Sequence, residues 1–368
     1  MTMPKLRWGI VGAANIARKN WKGIWNSGSG RVTAVASRDL ERSRQFIAEC
    51  QSHAPFDPAP RALGSYEELL AAPDVDAVYL PLPTGVRAQW AKRAAEAGKH
   101  VVCEKPCATI LAELTDILEC CRRNRVQFMD GVMFMHSRRL EEMRRVLDDY
   151  RAIGEVRRIT SDFSFVAPEE FFQMNIRARS ELEPFGCLGD LGWYCIRFAL
   201  WVMNWKLPER VAGRTLKEFK HPGSQMSVPT EFSGELFFAD GVTSSFYCSF
   251  LTETEQWAVV SGTSGHLRVP DFVLPFSGAK SGFETGNPVF AVRGCDFEMQ
   301  PHIRQWEIDE CSHSNPTAQE SRLFRHFADQ VQSGTLSPLW PEMAAKTQQV
   351  MEACRESSRM EGRPFKVS

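Results

Sequence analysis

The sequence predicts a two-part α/β protein: a parallel sheet covered by helices, followed by a half built on antiparallel strands. Three observations predict it. Through roughly residue 134, short apolar runs alternate with stretches of helical spacing, joined by brief loops. Beyond that point the helices thin out and strand-like runs meet at hairpin dipeptides. The chain has 368 residues, enough for about two domains of ordinary size.

The first half reads in order. KLRWGIVG (5–12) is a strand running into glycine. Ala13 to Trp25 carries Ile16, Ala17, Trp21 and Ile24 at helical spacing. RVTAVAS (31–37) is a strand, and DLERSRQFIAEC (39–50) a helix with Asp39 as its N-cap. Residues 51–62 hold Pro55, Pro58 and Pro60 and read as loop. Ser65, with Glu68 three residues on, is a capping box for the helix YEELLA. DAVYLPLP (76–83) is a buried strand, GVRAQWAKRAAEAG (85–98) a helix ended by Gly98, HVVCEKP (100–106) a strand, 109–124 a helix and VQFMDGVMF (126–134) a strand. The change of pattern sets the boundary, giving domains 1–132 and 133–368.

In the second half, a helix over 137–150 precedes the alternating run VRRITSDFSF (156–165). FSGELFFADG (232–241) and VTSSFYCSF (242–250) flank Asp240-Gly241, and 256–269 forms another hairpin near Ser264-Gly265. Helices are expected at 188–203, 317–332 and 342–359. The stretch 270–315, with its Gly, Pro and Phe, carries no readable pattern.

Bulk numbers exclude several classes. Formal net charge is −1, which gives no electrostatic footprint for nucleic acid or a membrane surface. No apolar run approaches the roughly 20 residues of a membrane span. The N-terminal residues lack a signal-peptide pattern, so a cytoplasmic protein is expected. Eleven cysteines scatter through strands and helices and read as buried thiols, with no zinc spacing, so no metal is expected.

The first strand–helix turn reads Gly12-Ala13-Ala14-Asn15-Ile16-Ala17. A glycine there lets backbone approach a pyrophosphate, and the following helix N-terminus supplies N–H groups. Alanine at 14 departs from the full glycine fingerprint. The second strand ends Ser37-Arg38-Asp39. A hydroxyl and a guanidinium suit the 2′-phosphate of NADP, where an NAD site has a carboxylate. The alternative is that Arg38 is a solvated turn residue and Asp39 only a cap.

Lys105 stands where a strand leaves the core, and Pro106 fixes the chain's exit. Sheets of this kind bind ligands beyond their C-terminal strand ends. A lysine there can take part in proton handling or steady an alkoxide. The plainer reading makes it a surface lysine paired with Glu104. In GCLGDLGWYCIRF (186–198), Asp190 and Tyr194 are four apart and share a helix face. A phenol beside a lysine can act as acid and base, yet spacing alone equally allows a core aromatic among Trp193, Phe198 and Trp201.

Together, MTMPKLRWGIVGAANIA, VASRDLE, SYEELLAAPDVDAVYLPLPT, AAEAGKHVVCEKP and LGDLGWYCIRF resemble the glucose–fructose oxidoreductase/inositol dehydrogenase/MocA family. The Tyr-bearing motif is similar to its dihydrodiol dehydrogenase and NADP-dependent xylose dehydrogenase branch. The resemblance implies a Rossmann domain holding NADP, with NAD second. The cofactor would lie along Gly12, Ala13, Ala14, Asn15, Ile16, Ser37, Arg38, Leu82, Pro83, Thr84, Glu104 and Lys105. It implies Lys105 and Tyr194 as the proton-handling pair, with Asp190 and Arg177 at the substrate, a sugar or cyclic diol. It also implies a second domain with an open, mostly antiparallel sheet, helices on one face and a homo-oligomer contact on the other. Phe237, Phe246, Tyr247 and Phe250 are expected on that uncovered face. Arg87 is read as a helix-surface cation and His136 as a packed or capping histidine. Two other readings stand beside the dehydrogenase: a cofactor-bound sensor without catalysis, as the family includes a regulator, and an aldose–ketose oxidoreductase with tightly held cofactor.

Overall fold

The computed structural model describes residues 4–367. The first compact unit comprises the described residues up to His136, Arg179–Pro184 and His313–Gln348. The second comprises Ser137–Ala178, Phe185–Ser312 and the described residues from Gln349 on.

The first unit opens with β1 (Leu6–Val11), α1 (Asn15–Ser27), β2 (Gly30–Ala36), α2 (Leu40–His53), β3 (Arg61–Leu63), α3 (Tyr66–Ala71), β4 (Ala77–Leu80), α4 (Thr84–Glu96), β5 (His100–Cys103), α5 (Leu111–Arg123) and β6 (Phe128–Asp130). Its six strands are all parallel, in the order β3-β2-β1-β4-β5-β6. This is the doubly wound order that leaves a crevice at the strand C-termini between β1 and β4. Three expectations shift. Residues Arg61–Leu63, inside and just beyond the expected loop, form β3, because the backbone of Ala34–Ala36 needs a partner on that edge. The strand over 126–134 shortens to β6 and passes into a 3-10 turn at Met133–His136. The helix expected at 317–332 returns to this unit rather than staying with the antiparallel half.

The physical reason for that return is cover. A parallel sheet needs both faces buried. The Trp8 side of β1 is closed by Leu323, Phe324, Phe327 and Ala328, with Trp8 and Phe324 edge to face at 5.2 Å. His136 is buried and packs as expected, its Nδ1 3.0 Å from Nδ1 of His326.

In the second unit come α6 (Arg138–Asp148), β7 (Val156–Ser164), α7 (Glu169–Met174), α8 (Trp193–Val202), β8 (Arg210–Phe219), β9 (Val228–Phe237), β10 (Thr243–Ser249), β11 (Ala258–Gly262), β12 (His266–Val269), β13 (Ser281–Gly286), β14 (Val289–Arg293), β15 (Asp296–Gln300) and β16 (Ile303–Ile308). The chain closes with α9 (Gln319–Gln332), α10 (Leu339–Arg359), which crosses the division, and β17 (Phe365–Lys366). Nine strands form one sheet, β16-β13-β12-β11-β7-β10-β9-β8-β17, in which only β7 and β10 run parallel. Both expected hairpins are present. Asp240 (φ 67°) and Gly241 (φ 75°) supply the left-handed pair that a tight β9–β10 turn requires.

One face of this sheet is covered by α8 and the turn before it. Phe246 and Phe250 point to that covered face and are core residues, with Phe246 stacked on Phe232 at 6.1 Å. This corrects their expected place on the uncovered face. The period of two along β10 places Phe246 with Ser244 and Cys248, opposite to Tyr247. Phe237 and Tyr247 do lie on the other face, among Thr160, Asp162, Ser233 and Ser245. Among the described residues no helix is long and apolar enough to cross a membrane.

Candidate active site

The expected site residues fall into two groups, one in each unit. In the first unit, every cofactor candidate sits at or just past the C-terminal end of β1, β2, β4 or β5. Gly12 has φ of +111°, which a side chain rarely adopts, and a Cβ there would meet Leu82 Cδ2 at 2.9 Å. Glycine at 12 therefore lets the turn close against Leu82. Ala14 is the N-cap of α1 and offers no side-chain cap, so the first-turn N–H groups of Asn15 and Ile16 face outward from the strand end. Ala14 in the place of a second glycine leaves the turn geometry intact.

At the end of β2, Ser37 is buried and Arg38 exposed. Asp39 caps α2 through the Glu41 amide at 2.9 Å. The carboxylate is thereby turned to its own helix. Arg42, one turn into α2, reaches the Ala13 carbonyl at 3.3 Å. The Tyr66 phenol is raised by burial, against the pull of the Arg38 and Arg42 guanidinium groups beside it. Ser37, Arg38, Arg42 and Tyr66 thus gather beside the turn, next to a groove of about 390 Å³ lined by Arg18 and Arg42 and by the carboxylates of Asp39, Glu41 and Glu49. Two cations and a hydroxyl against a Gly-Ala turn fit a dinucleotide carrying an extra phosphate. Sequence reasoning missed Arg42 and Tyr66. The only signal was the helical turn separating Arg38 from Arg42.

At the end of β4, Thr84 is buried, and both its amide and its hydroxyl donate to the Glu183 carboxylate, at 3.0 and 2.6 Å. The short segment Arg179–Pro184 seats on the start of α4, where Gly85 donates to the Leu182 carbonyl at 2.9 Å. A Cβ at Gly85 would collide with the Glu181 carbonyl, 1.9 Å away. Arg87 is not a surface cation. It is 3% exposed, and its guanidinium donates to the carbonyls of Leu82 (Nε, 2.8 Å) and Pro106. The helix face carrying Arg87 turns inward, and the two loop carbonyls need donors that only a buried cation of this length supplies.

Glu104 is likewise no surface partner for Lys105. It is 9% exposed, and Tyr79 donates to its Oε1 at 2.5 Å. Asn20 donates to the same phenol at 2.5 Å and to Glu104 Oε1 at 3.3 Å. Burial, followed by the Glu104 carboxylate, pushes the Tyr79 phenol well up, so it stays a proton donor. Lys105 follows at once, half-buried, with its amide 3.4 Å from Glu104 Oε2 and a cis peptide to Pro106.

In the second unit, Leu188–Gly192 forms a π-turn that leads into α8. Such wide turns are rare and favour functional positions. Asp190 lies within it and Tyr194 in the first turn of α8, where a plain α-helix was expected. Gly192 seats the turn against the sheet, with Cys248 Sγ 3.2 Å from where its Cβ would be. Asp190 pairs with the Arg177 guanidinium at 2.7 Å. Arg177 also donates to Asn175 Oδ1 through its own amide, at 3.0 Å. Tyr194 is buried, edge to face with Phe163 at 5.7 Å. Asp190 and Arg177 thus form one ion pair, and Tyr194 follows four residues on, packed on Phe163.

Two family models match the chain. One, described as an oxidoreductase family with an NAD-binding Rossmann fold, covers residues 6–132. The other, described as a GFO/IDH/MocA C-terminal domain, covers 140–268. A D-xylose 1-dehydrogenase (NADP+) of Haloferax volcanii is 31% identical, over 77% of this chain and 82% of its own. A trans-1,2-dihydrobenzene-1,2-diol dehydrogenase of Xenopus tropicalis is 30% identical, over 72% and 75%. Among solved structures, a 3-ketoreductase of Actinomadura kijaniata in complex with NADP and TDP-benzene is similar at a TM-score of 0.79 and 25% identity, over 96% of this chain and 98% of its own.

Proposed function

The chain belongs to the GFO/IDH/MocA oxidoreductase family, and from that premise we propose an NADP-dependent dehydrogenase or reductase acting on a sugar or cyclic diol. The observation that carries this reading is the pair of chemical groupings: Ser37, Arg38 and Arg42 beside the Gly12 turn, and Asp190 on the π-turn, paired with Arg177 and followed by Tyr194 in the first turn of α8. Bound NADP supplies or accepts the hydride at a carbon bearing a hydroxyl or carbonyl.

The chain's own residues handle the rest. Ser37, Arg38 and Arg42 hold the 2′-phosphate, and the Gly12–Ile16 turn receives the pyrophosphate. Tyr194 takes the hydroxyl proton on oxidation and returns it on reduction. A free phenol titrates near 10, so it needs a cation to act near neutrality, and Lys105 is that cation. Glu104, fixed by Tyr79 and Asn20, holds the backbone from which Lys105 extends. Asp190, oriented by Arg177, accepts a hydrogen bond from a neighbouring substrate hydroxyl.

We place this enzyme in the cytoplasm as a homo-oligomer. All eleven cysteines are free thiols, nine of them buried, which suits a reducing compartment. The test is absorbance at the nicotinamide band. Purified protein with NADP+ and a panel of aldoses, polyols and cyclic diols should give steady reduction with at least one member. No turnover across the panel, nor with the matching ketones and NADPH, would overturn the reading.

A further inference from the structure

β14 and β15 stand apart from the nine-stranded sheet as a hairpin of their own. The hairpin continues from β13 and β16 through Asn287 and His302, whose backbones bond at 3.4 Å. The family's C-terminal model ends at residue 268, short of this arm. Register pairs Phe290 with Met299 and Val292 with Phe297. Side chains two apart point the same way, so all four share one face. They are 60%, 65%, 55% and 75% exposed respectively, and the two phenylalanine rings meet at 5.6 Å. The opposite face holds Ala291, and Arg293 lies 3.5 Å from the Glu298 carboxylate. The arm is therefore amphipathic. A lone two-stranded hairpin is marginal in water, and its apolar face points away from the charged one.

We infer that this face is an assembly contact, seated on the same face of the arm of a second copy of this chain. Area and symmetry select that occupant. Phenylalanine side chains offer about 150–250 Å² each, so four half-exposed side chains present on the order of 500 Å² of apolar surface. Two such faces bury about 1,000 Å² in total, the size a specific interface requires. These four side chains carry no charge to select a foreign partner, and a two-fold pairing needs only one patch that fits itself. The inference rests on the homo-oligomer reading above and takes the arm as a contact surface in place of the uncovered sheet face expected from the sequence, while the oxidoreductase reading stands or falls separately.

The test measures solution mass by light scattering at micromolar concentration, for wild type, Phe290→Ser/Phe297→Ser and Val292→Lys, each with NADP present. Both variants should show half the wild-type mass while keeping turnover, which also reports that they fold. The uncovered face of the nine-stranded sheet is untouched in them, so an oligomer held there alone would keep its mass. A monomeric wild type, or equal masses in wild type and the active variants, would overturn the inference and leave the arm to a partner of another kind. Should the double variant precipitate, Val292→Lys decides alone, because it alters one exposed position and leaves both rings.

Discussion

The two groups of site residues are mounted by different means. Those of the first unit sit at the ends of parallel strands, on loops braced from behind by Arg87, Glu183 and the Asn20–Tyr79–Glu104 chain. Those of the second unit lie on and around a π-turn backed by an antiparallel sheet, with Asp190 paired to Arg177. Strand ends give position through topology, and buried polar groups then fix each loop. An irregular helix turn gives position through its own wide winding, at the cost of regular hydrogen bonding.

The largest effect is expected at Lys105 and Tyr194, the pair proposed to handle the proton. Lys105→Met removes charge with little change in volume, and Tyr194→Phe removes only a hydroxyl. Each should lower kcat by roughly 10²- to 10⁴-fold, the usual worth of a positioned acid or base. NADP affinity, measured by fluorescence titration, should stay near wild type in both. Near-normal turnover in both variants would mean that the proton travels by another route.

Next in size is the brace behind the first mount. Arg87→Met leaves the buried Leu82 carbonyl without its donor and the Pro106 carbonyl with only the long bond from the Thr84 hydroxyl. An unsatisfied buried group costs about 1–3 kcal/mol, so roughly 3 kcal/mol of stability should go, together with part of kcat. Denaturant unfolding reads the first effect. A stable variant with full activity would show that the loops hold themselves.

The contrast also explains what the sequence discloses. Strand–helix alternation announces a parallel sheet, and GIVGAAN and SRD announce a nucleotide crevice, because backbone geometry and phosphate chemistry restrict the residue types allowed there. Spacing puts Asp190 and Tyr194 on one helix face but equally allows Tyr194 a core place, and the π-turn beneath them has no periodic signature. Arg87 misled for a related reason. On an amphipathic helix an arginine reads as solvated, and only the carbonyls of Leu82, just before the helix, and Pro106, after the next strand, reveal that it is buried. The closure of the first unit by Phe324 and Phe327 was hidden as well, because contacts across some 300 residues leave no local pattern.

A smaller effect tests the crevice itself. Arg38→Ala should weaken NADP by roughly ten- to hundredfold, about 1.5–3 kcal/mol for a charged hydrogen bond, with little change for NAD. Arg42→Ala should act in the same direction. Isothermal titration with both cofactors checks this, and equal wild-type affinities for the two would sink it.

The smallest effect belongs to the sheet behind the second mount. Asp162 lies mid-strand on β7, opposite Tyr247, and its Oδ1 is buried without a hydrogen-bond partner. Burial, with the Glu255 carboxylate adding to it, pushes the acid up to about 7. An unfolded aspartate titrates near 3.9. Between about pH 4 and 7, therefore, the folded chain holds a proton that the unfolded chain has lost. Stability from this group is greatest at the acid end of that window and falls as pH rises through 7. Asp162→Asn keeps the shape and removes the titration. Its thermal midpoint relative to wild type should rise steadily from pH 5 to pH 8 and level off beyond. A difference that stays flat over that range would show that the carboxyl titrates as an ordinary solvated aspartate, and that this sheet supports its π-turn without strain from a buried charge.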